Sequence, residues 1–207
     1  ILALVVAGSA GFAGQAAMAP VDTAGDGPLV RIVQPNTPQA EKWRPDKRAP
    51  HMARLLELSR RDGFDKLAAV IWPETAPPFV IEPGSPALEV MAKAVPPGGY
   101  LLTGAARGTR NREDGVWNSL LVVDGEGEIV ATYDKVHLVP LGEYIPFHKQ
   151  LAPVSGFIGR GSFEVGESRL TLDLPRLPSF SPIICYEVIF PAAVTGPQER
   201  PRWLLNV

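Results

Sequence analysis

The sequence carries a single thiol, Cys185, inside Ser181-Pro182-Ile183-Ile184-Cys185-Tyr186-Glu187, with Val188-Ile189-Phe190 following. Apolar residues running into a cysteine and then into Tyr-Glu read as a strand that ends in a sharp turn, with the thiol at the bend. Such a turn pushes the side chain out of the sheet and leaves backbone N–H groups beside it. A lone cysteine on an apolar strand also reads as a small buried hydrophobe. Two other stretches separate these readings. The apolar run 67–72 stops at Pro73-Glu74, and the run 129–133 stops at Asp134-Lys135. Alone, the first is a turn with a solvated carboxylate and the second a surface ion pair of little energetic weight. Three apolar approaches, each ended abruptly beside an ionisable side chain, read instead as one site assembled on the loops of a rigid sheet. A thiol is mostly protonated at neutral pH, with an ordinary pKa of about 8.5, so it needs a base or a cation as neighbour. Glu74 and Lys135 are residues of those two types.

The elements that must position these groups follow from periodicity and punctuation. Residues 29–34 form a β-branched strand ended by Pro35-Asn36, and 37–46 form a loop with Trp43 between Lys42 and Arg44. Asp46 is a candidate N-cap for a helix over 47–62, which Gly63 ends. The unbroken apolar run 67–72 has strand length and the character of a strand covered on both faces. A Pro/Gly-rich loop over 76–84, a helix near 85–95 and a strand over 100–104 come next. Strands 117–123 and 129–133 flank Asp124-Gly125-Glu126-Gly127-Glu128, a hairpin signal. Residues 134–144 read as a loop, 163–165 and 169–174 as short strands before the Cys185 strand, and 203–207 as another apolar strand. About nine strands with two or three helices imply an α/β protein of helix layers over mixed sheet.

Composition narrows the function classes. The 207 residues hold 20 Lys+Arg against 22 Asp+Glu, so no charge argument for nucleic acid arises. Three His, one Cys and neither C-x-x-C nor H-E-x-x-H leave no zinc signature, and no cofactor is called for. Residues 1–19 contain no charge and as a helix would extend roughly 28 Å. They read as the end of a transmembrane helix or as a signal peptide; the missing basic n-region favours the helix. Residues 20–28 read as a linker, and the apolar run at 203–207 has the look of a domain continuing beyond it.

Three stretches resemble the signatures of the nitrilase superfamily with its Glu-Lys-Cys triad. They are Trp72-Pro73-Glu74, the string Tyr133-Asp134-Lys135-Val136-His137-Leu138-Val139-Pro140-Leu141-Gly142-Glu143-Tyr144, and Ile184-Cys185-Tyr186-Glu187. With Val33-Gln34-Pro35-Asn36 and Lys42-Trp43, the pattern is similar to the apolipoprotein N-acyltransferase family. The resemblance spans 29–207, a nitrilase-like α-β-β-α sandwich that is C-terminally incomplete, preceded by the end of a transmembrane helix. It implies a bacterial inner-membrane enzyme with its catalytic domain on the periplasmic side. Its partners would be a phospholipid acyl donor and a diacylglyceryl-modified apolipoprotein acceptor, with no nucleic acid.

On this resemblance Glu74 takes the Cys185 proton, and Lys135 with the Tyr186 N–H stabilises each tetrahedral oxyanion. Glu143 holds Lys135 or substrate, Tyr186 and Glu187 shape the pocket, and Trp43 contacts substrate. The apolar segments 77–81, 145–147 and 157–158 read as an acyl-chain groove or membrane-facing lid, or as loops packed on the domain's own core. Two rival functions stand beside acyl transfer: a soluble carbon-nitrogen hydrolase using water with the same triad, and a non-enzymatic binding domain.

Overall fold

The computed structural model describes residues 27–109, 115–140, 142–144, 162–190, 194–196 and 200–207. The expected membrane helix at 1–19, most of the linker at 20–28 and the apolar stretch 145–158 lie outside the described residues. Among the described residues, no helix is long and apolar enough to cross a membrane.

A five-stranded sheet in the order β1-β2-β3-β4-β5 forms the centre: β1 (Val30–Ile32), β2 (Ala69–Trp72), β3 (Tyr100–Gly108), β4 (Val116–Val123) and β5 (Ile129–Asp134). β1, β2 and β3 run parallel, and β3, β4 and β5 alternate antiparallel. Helix α1 (Arg48–Ser59) connects β1 to β2, and α2 (Pro86–Ala92) connects β2 to β3. A second, three-stranded sheet holds β6 (Leu172–Leu174), β7 (Leu177–Ile183) and β8 (Trp203–Asn206), with β7 between the other two.

Side-chain alternation along the central strands divides the core in two. Val70, Trp72, Leu101, Leu121 and Val123 face the helices and pack with Met52 and Leu55 of α1 and Leu88 and Met91 of α2. Their neighbours Ala69, Ile71, Leu102, Leu120 and Val122 face the small sheet and pack with Phe180, Ile184 and Leu205. All four residues of β2 are buried, because both of its faces are covered. The one polar atom of Trp72 is satisfied: its Nε1 donates to Ser59 Oγ at 2.8 Å, which donates on to the Leu55 carbonyl at 2.7 Å. The described residues thus form helix, sheet and sheet layers, in keeping with the expected nitrilase-like class.

Several boundaries differ from the sequence reading for local reasons. Asp46 does not cap α1. Its carboxylate is taken by Arg44, at 3.1 and 2.8 Å, and Lys47 stands at the cap behind a short 3-10 turn, Pro45–Lys47. β3 continues four residues past Gly104, because β4 pairs with it as far as Gly108↔Val116. The segment expected as a strand at 163–165 makes one bridge, Trp117↔Glu164. The described residues hold eight strands rather than nine.

Loop 77–81 packs in part on the domain's own core. Ile81 is fully buried on the helix side, and Phe79 packs against that core. Ile81 also exchanges backbone hydrogen bonds with Ala106 and Gly108, at 2.8 and 2.9 Å. Val80 remains exposed, and with Phe79 it borders an open cleft.

Gly104 is where the sheet makes room for chemistry. A Cβ there would stand 2.5 Å from Glu74 Cα and 2.8 Å from the Pro73 carbonyl. The close approach lets the Ala76 N–H reach the Gly104 carbonyl at 2.9 Å and pins the turn after β2. Gly104→Ala is expected to cost about 1–3 kcal/mol of stability through overpacking. Gly125→Ala, at a turn where an added Cβ meets nothing within 4 Å, should stay within about 0.5 kcal/mol of wild type. Equal denaturant midpoints for the two variants would contradict this packing.

Candidate active site

Three strand ends converge. β2 runs into Pro73-Glu74, β5 into Lys135, and β7 through Ile184 into Cys185. At each, the chain turns sharply. Thr75 and Cys185 hold positive φ of 44° and 53°, a left-handed conformation that side chains rarely adopt. At Cys185 this strain brings the thiol-bearing strand to an abrupt halt, and a 3-10 turn, Cys185–Ile189, begins there. The Cys185 N–H is tied to the Val207 carbonyl at 2.8 Å, fixing the bend to β8.

Lys135 is almost fully buried, and its Nζ lies 2.8 Å from Glu143 Oε1 and 3.8 Å from Glu74 Oε1. The pleat explains its direction. Asp134, one residue earlier, points to the opposite side and is clasped by Arg107 at 3.0 and 2.8 Å. The Lys135 N–H donates to the Asn118 carbonyl at 2.8 Å, so the lysine leaves β5 in register with β4. Glu143 is held by Lys135 and by the Val139 N–H, the latter at 2.8 Å to Oε2.

The thiol feels all of these groups. Burial, then the negative charge of Glu74, push Cys185 above its ordinary pKa, and Glu143 adds to the rise. Lys135 and a hydrogen bond from the Tyr186 N–H pull the other way without reversing it. Burial and the nearby carboxylates thus favour the neutral form of the Cys185 thiol.

Of the supporting residues named from sequence, Glu143 stands within the cluster. Tyr186 is exposed, together with Val188, Ile189 and Phe190, so an apolar surface follows the nucleophile directly. Glu187 is fully buried and acts from beneath. Its carboxylate accepts from the Ile184, Val136 and His137 N–H groups at 2.9, 2.9 and 3.0 Å, and from the Tyr133 hydroxyl at 2.9 Å, while Arg169 pairs with it at 3.1 Å. Burial and that nearby anion push the Tyr133 phenol upward, keeping it a donor. Trp43 lines a separate cleft of about 550 Å³ with Arg48, Phe79 and Val80, and none of the three strand-end residues borders it.

Sequence reasoning passed over three residues. Lys42 reaches from the loop after β1 to donate to the Glu74 carbonyl at 2.8 Å; burial lowers its pKa and Glu74 partly offsets this. Arg169 closes the Glu187 network. Asn118 sits in the middle of β4 and touches both glutamates. Its signal was available, since an amide inside a strand runs against strand preference.

A profile for carbon-nitrogen hydrolases matches residues 29–195. A curated apolipoprotein N-acyltransferase of Rhodopseudomonas palustris is 36% identical over 196 residues, covering 88% of this chain and 36% of that protein. Another, from Agrobacterium fabrum, is 36% identical over 213 residues, covering 99% of this chain and 40% of that protein. The chain thus spans roughly two fifths of the length of these curated relatives. The crystal structure of an N-terminal amidase with an Asn-Glu-Ala peptide matches with a TM-score of 0.50 at 16% identity, covering 77% of this chain and 40% of that one. That likeness concerns the fold alone.

Two outcomes check this geometry. Iodoacetamide should alkylate Cys185 slowly near neutral pH. Glu74→Gln, by removing a charge that raises the thiol pKa, should speed alkylation, and Lys135→Met should slow it further. The opposite order would refute the charge arrangement. Glu187→Ala should cost about 3–5 kcal/mol in denaturant unfolding, because Arg169 is left buried without its anion.

Proposed function

The chain belongs to the carbon-nitrogen hydrolase family, and we propose that it uses this site for acyl transfer to an amine. In the proposed reaction, Cys185 takes a fatty acyl chain from a phospholipid and passes it to the N-terminal amine of a diacylglyceryl-cysteine apolipoprotein. The observation that carries the reading is the meeting of three strand ends: Cys185 at a left-handed turn, and Lys135 buried with Glu143 at 2.8 Å and Glu74 at 3.8 Å. The names of the curated relatives support N-acyl transfer to an apolipoprotein acceptor, and the phospholipid donor is what the motif resemblance implies. The exposed Tyr186, Val188, Ile189 and Phe190 beside the thiol suit a lipid substrate. The proposed setting is the periplasmic face of the bacterial inner membrane, as the motif resemblance implies.

The chemistry runs in two halves. Glu74 removes the Cys185 proton as sulfur attacks the ester carbonyl of the donor. Negative charge gathers on the carbonyl oxygen, where the Lys135 ammonium and the Tyr186 N–H stabilise it. Collapse breaks the ester C–O bond, the proton passes from Glu74 to the leaving alkoxide, and lysophospholipid departs from a Cys185 thioester. The acceptor amine then attacks the thioester carbonyl, and Glu74 takes the amine proton. The second tetrahedral intermediate expels the Cys185 sulfur, which regains its proton and leaves an amide. Glu143 keeps Lys135 in place through both halves.

In phosphatidylethanolamine vesicles without acceptor, the protein should gain the mass of one acyl chain on Cys185. Hydroxylamine should remove it, and a peptide beginning with diacylglyceryl-cysteine should discharge it. Cys185→Ala should gain nothing. Release of free fatty acid without any adduct would overturn the transferase reading in favour of water as acceptor.

A further inference from the structure

Asn118 is 1% exposed, yet it is neither apolar nor fully hydrogen-bonded. Its Nδ2 donates to Glu74 Oε1 at 2.8 Å and to Glu143 Oε1 at 2.9 Å. Its Oδ1 has no hydrogen-bond partner among the described residues. The reverse amide orientation would set an acceptor against two carboxylates, so the chemistry of the neighbours fixes the nitrogen toward them. A position chosen only for packing in β4 would not bury an amide and then leave half of it unpaired.

The distances assign different duties to the two donors. Lys135 sits 2.8 Å from Glu143 but 3.8 Å from Glu74. Glu74's short side-chain hydrogen bond therefore comes from a neutral amide and not from the ammonium. A full positive charge in direct contact would make Glu74 a weaker base, whereas an amide orients it at a smaller cost in basicity. We propose that Asn118 is a positioning residue: its single amide nitrogen holds Glu74 and Glu143 together, occupies Glu74 Oε1, and leaves Oε2 as the oxygen free to take the thiol proton. This rests on the reading of Cys185 as an acylated nucleophile with Glu74 as its base.

The charged and titratable groups facing Glu74 are Lys135 and Glu143 from β5 and its following segment, Lys42 from the loop after β1, and Cys185 from the turn after β7. None of these groups is removed when Asn118 is changed, so a change in rate reports their placement. The test uses the protein in phospholipid vesicles and p-nitrophenyl octanoate, whose burst of p-nitrophenol reports acylation directly. Cys185→Ala should abolish the burst; a surviving burst overturns the acyl-enzyme reading and this proposal with it.

With that control in hand, Asn118→Ala should slow the burst about 10- to 100-fold, the scale of one hydrogen bond to a charged group. Asn118→Asp should be slower still near neutral pH, since it sets a third carboxylate against the other two. A purely structural role predicts the reverse order, because Asp matches Asn in size and Ala leaves a cavity. An Asp variant as fast as Ala, or an Ala variant within about twofold of wild type, overturns the proposal and leaves the nucleophile reading intact. If near-ultraviolet circular dichroism shows Asn118→Asp to be unfolded, the kcat-against-KM split of Asn118→Ala decides. The burst rate should fall while KM for p-nitrophenyl octanoate stays within about twofold of wild type, because Glu74 and not substrate binding is disturbed. A loss confined to KM overturns the proposal.

Discussion

One buried carboxylate ties the active geometry together. Glu187 hangs beneath the turn that carries Cys185 and accepts from Ile184 on that turn and from Val136 and His137 just past Lys135. A fully buried anion is tolerated only when surrounded by donors, and here three backbone N–H groups, a phenol and a guanidinium surround it. Those donors come from two different sheets: Tyr133, Val136 and His137 from the large sheet's β5 side, Ile184 from the end of β7. The need to satisfy one charge thus fixes the segment holding the ammonium against the segment holding the thiol. Arg169 adds the compensating cation and reaches His137 Nδ1 at 2.8 Å, extending the same network outward.

Above that anchor the site is an arrangement of unequal charges. Glu74, Glu143, Lys135 and the thiol share it, with Lys42 bound to the Glu74 carbonyl; burial first, and the carboxylates after it, push the thiol upward. Lys135 is committed to Glu143, and the resulting pair stands beside Glu74 without closing upon it. The Gly104 approach to Glu74 Cα serves the same end from the backbone, letting β3 pass close enough to brace the turn.

The three strand ends were legible because each leaves a local trace: an apolar run, an abrupt stop and an ionisable residue. The two-faced burial of β2 was legible for the same reason, as an unbroken apolar run. What the sequence hid depends on pairing between distant segments. Asn118 meets Glu74 across 44 positions and Glu143 across 25, and no local pattern encodes either meeting. Glu187 is adjacent to Tyr186 in sequence, but one points to solvent and the other into the core, because the 3-10 turn after Cys185 rotates successive side chains to opposite sides. Apolar content alone cannot say which way loop 77–81 faces. Backbone bonds to Ala106 and Gly108 turn Ile81 inward, while Val80 stays exposed. Asp46 was taken from its capping role by a nearer partner, Arg44.

The division of the core into two clusters has a further consequence. Glu74 and Lys135 ride on the five-stranded sheet, whereas Cys185 rides on the three-stranded one. Glu74 and Cys185 are thus joined through side chains of the second cluster, where Ile71, Leu120 and Val122 meet Phe180, Ile184 and Leu205. The site works as a vernier between two plates. A slip of about 1 Å of one sheet over the other would leave every strand ladder intact, yet would cost the proposed reaction about a hundredfold in rate. Acyl transfer, as proposed, would be a finer gauge of how the plates are seated than any measure of helix or strand content.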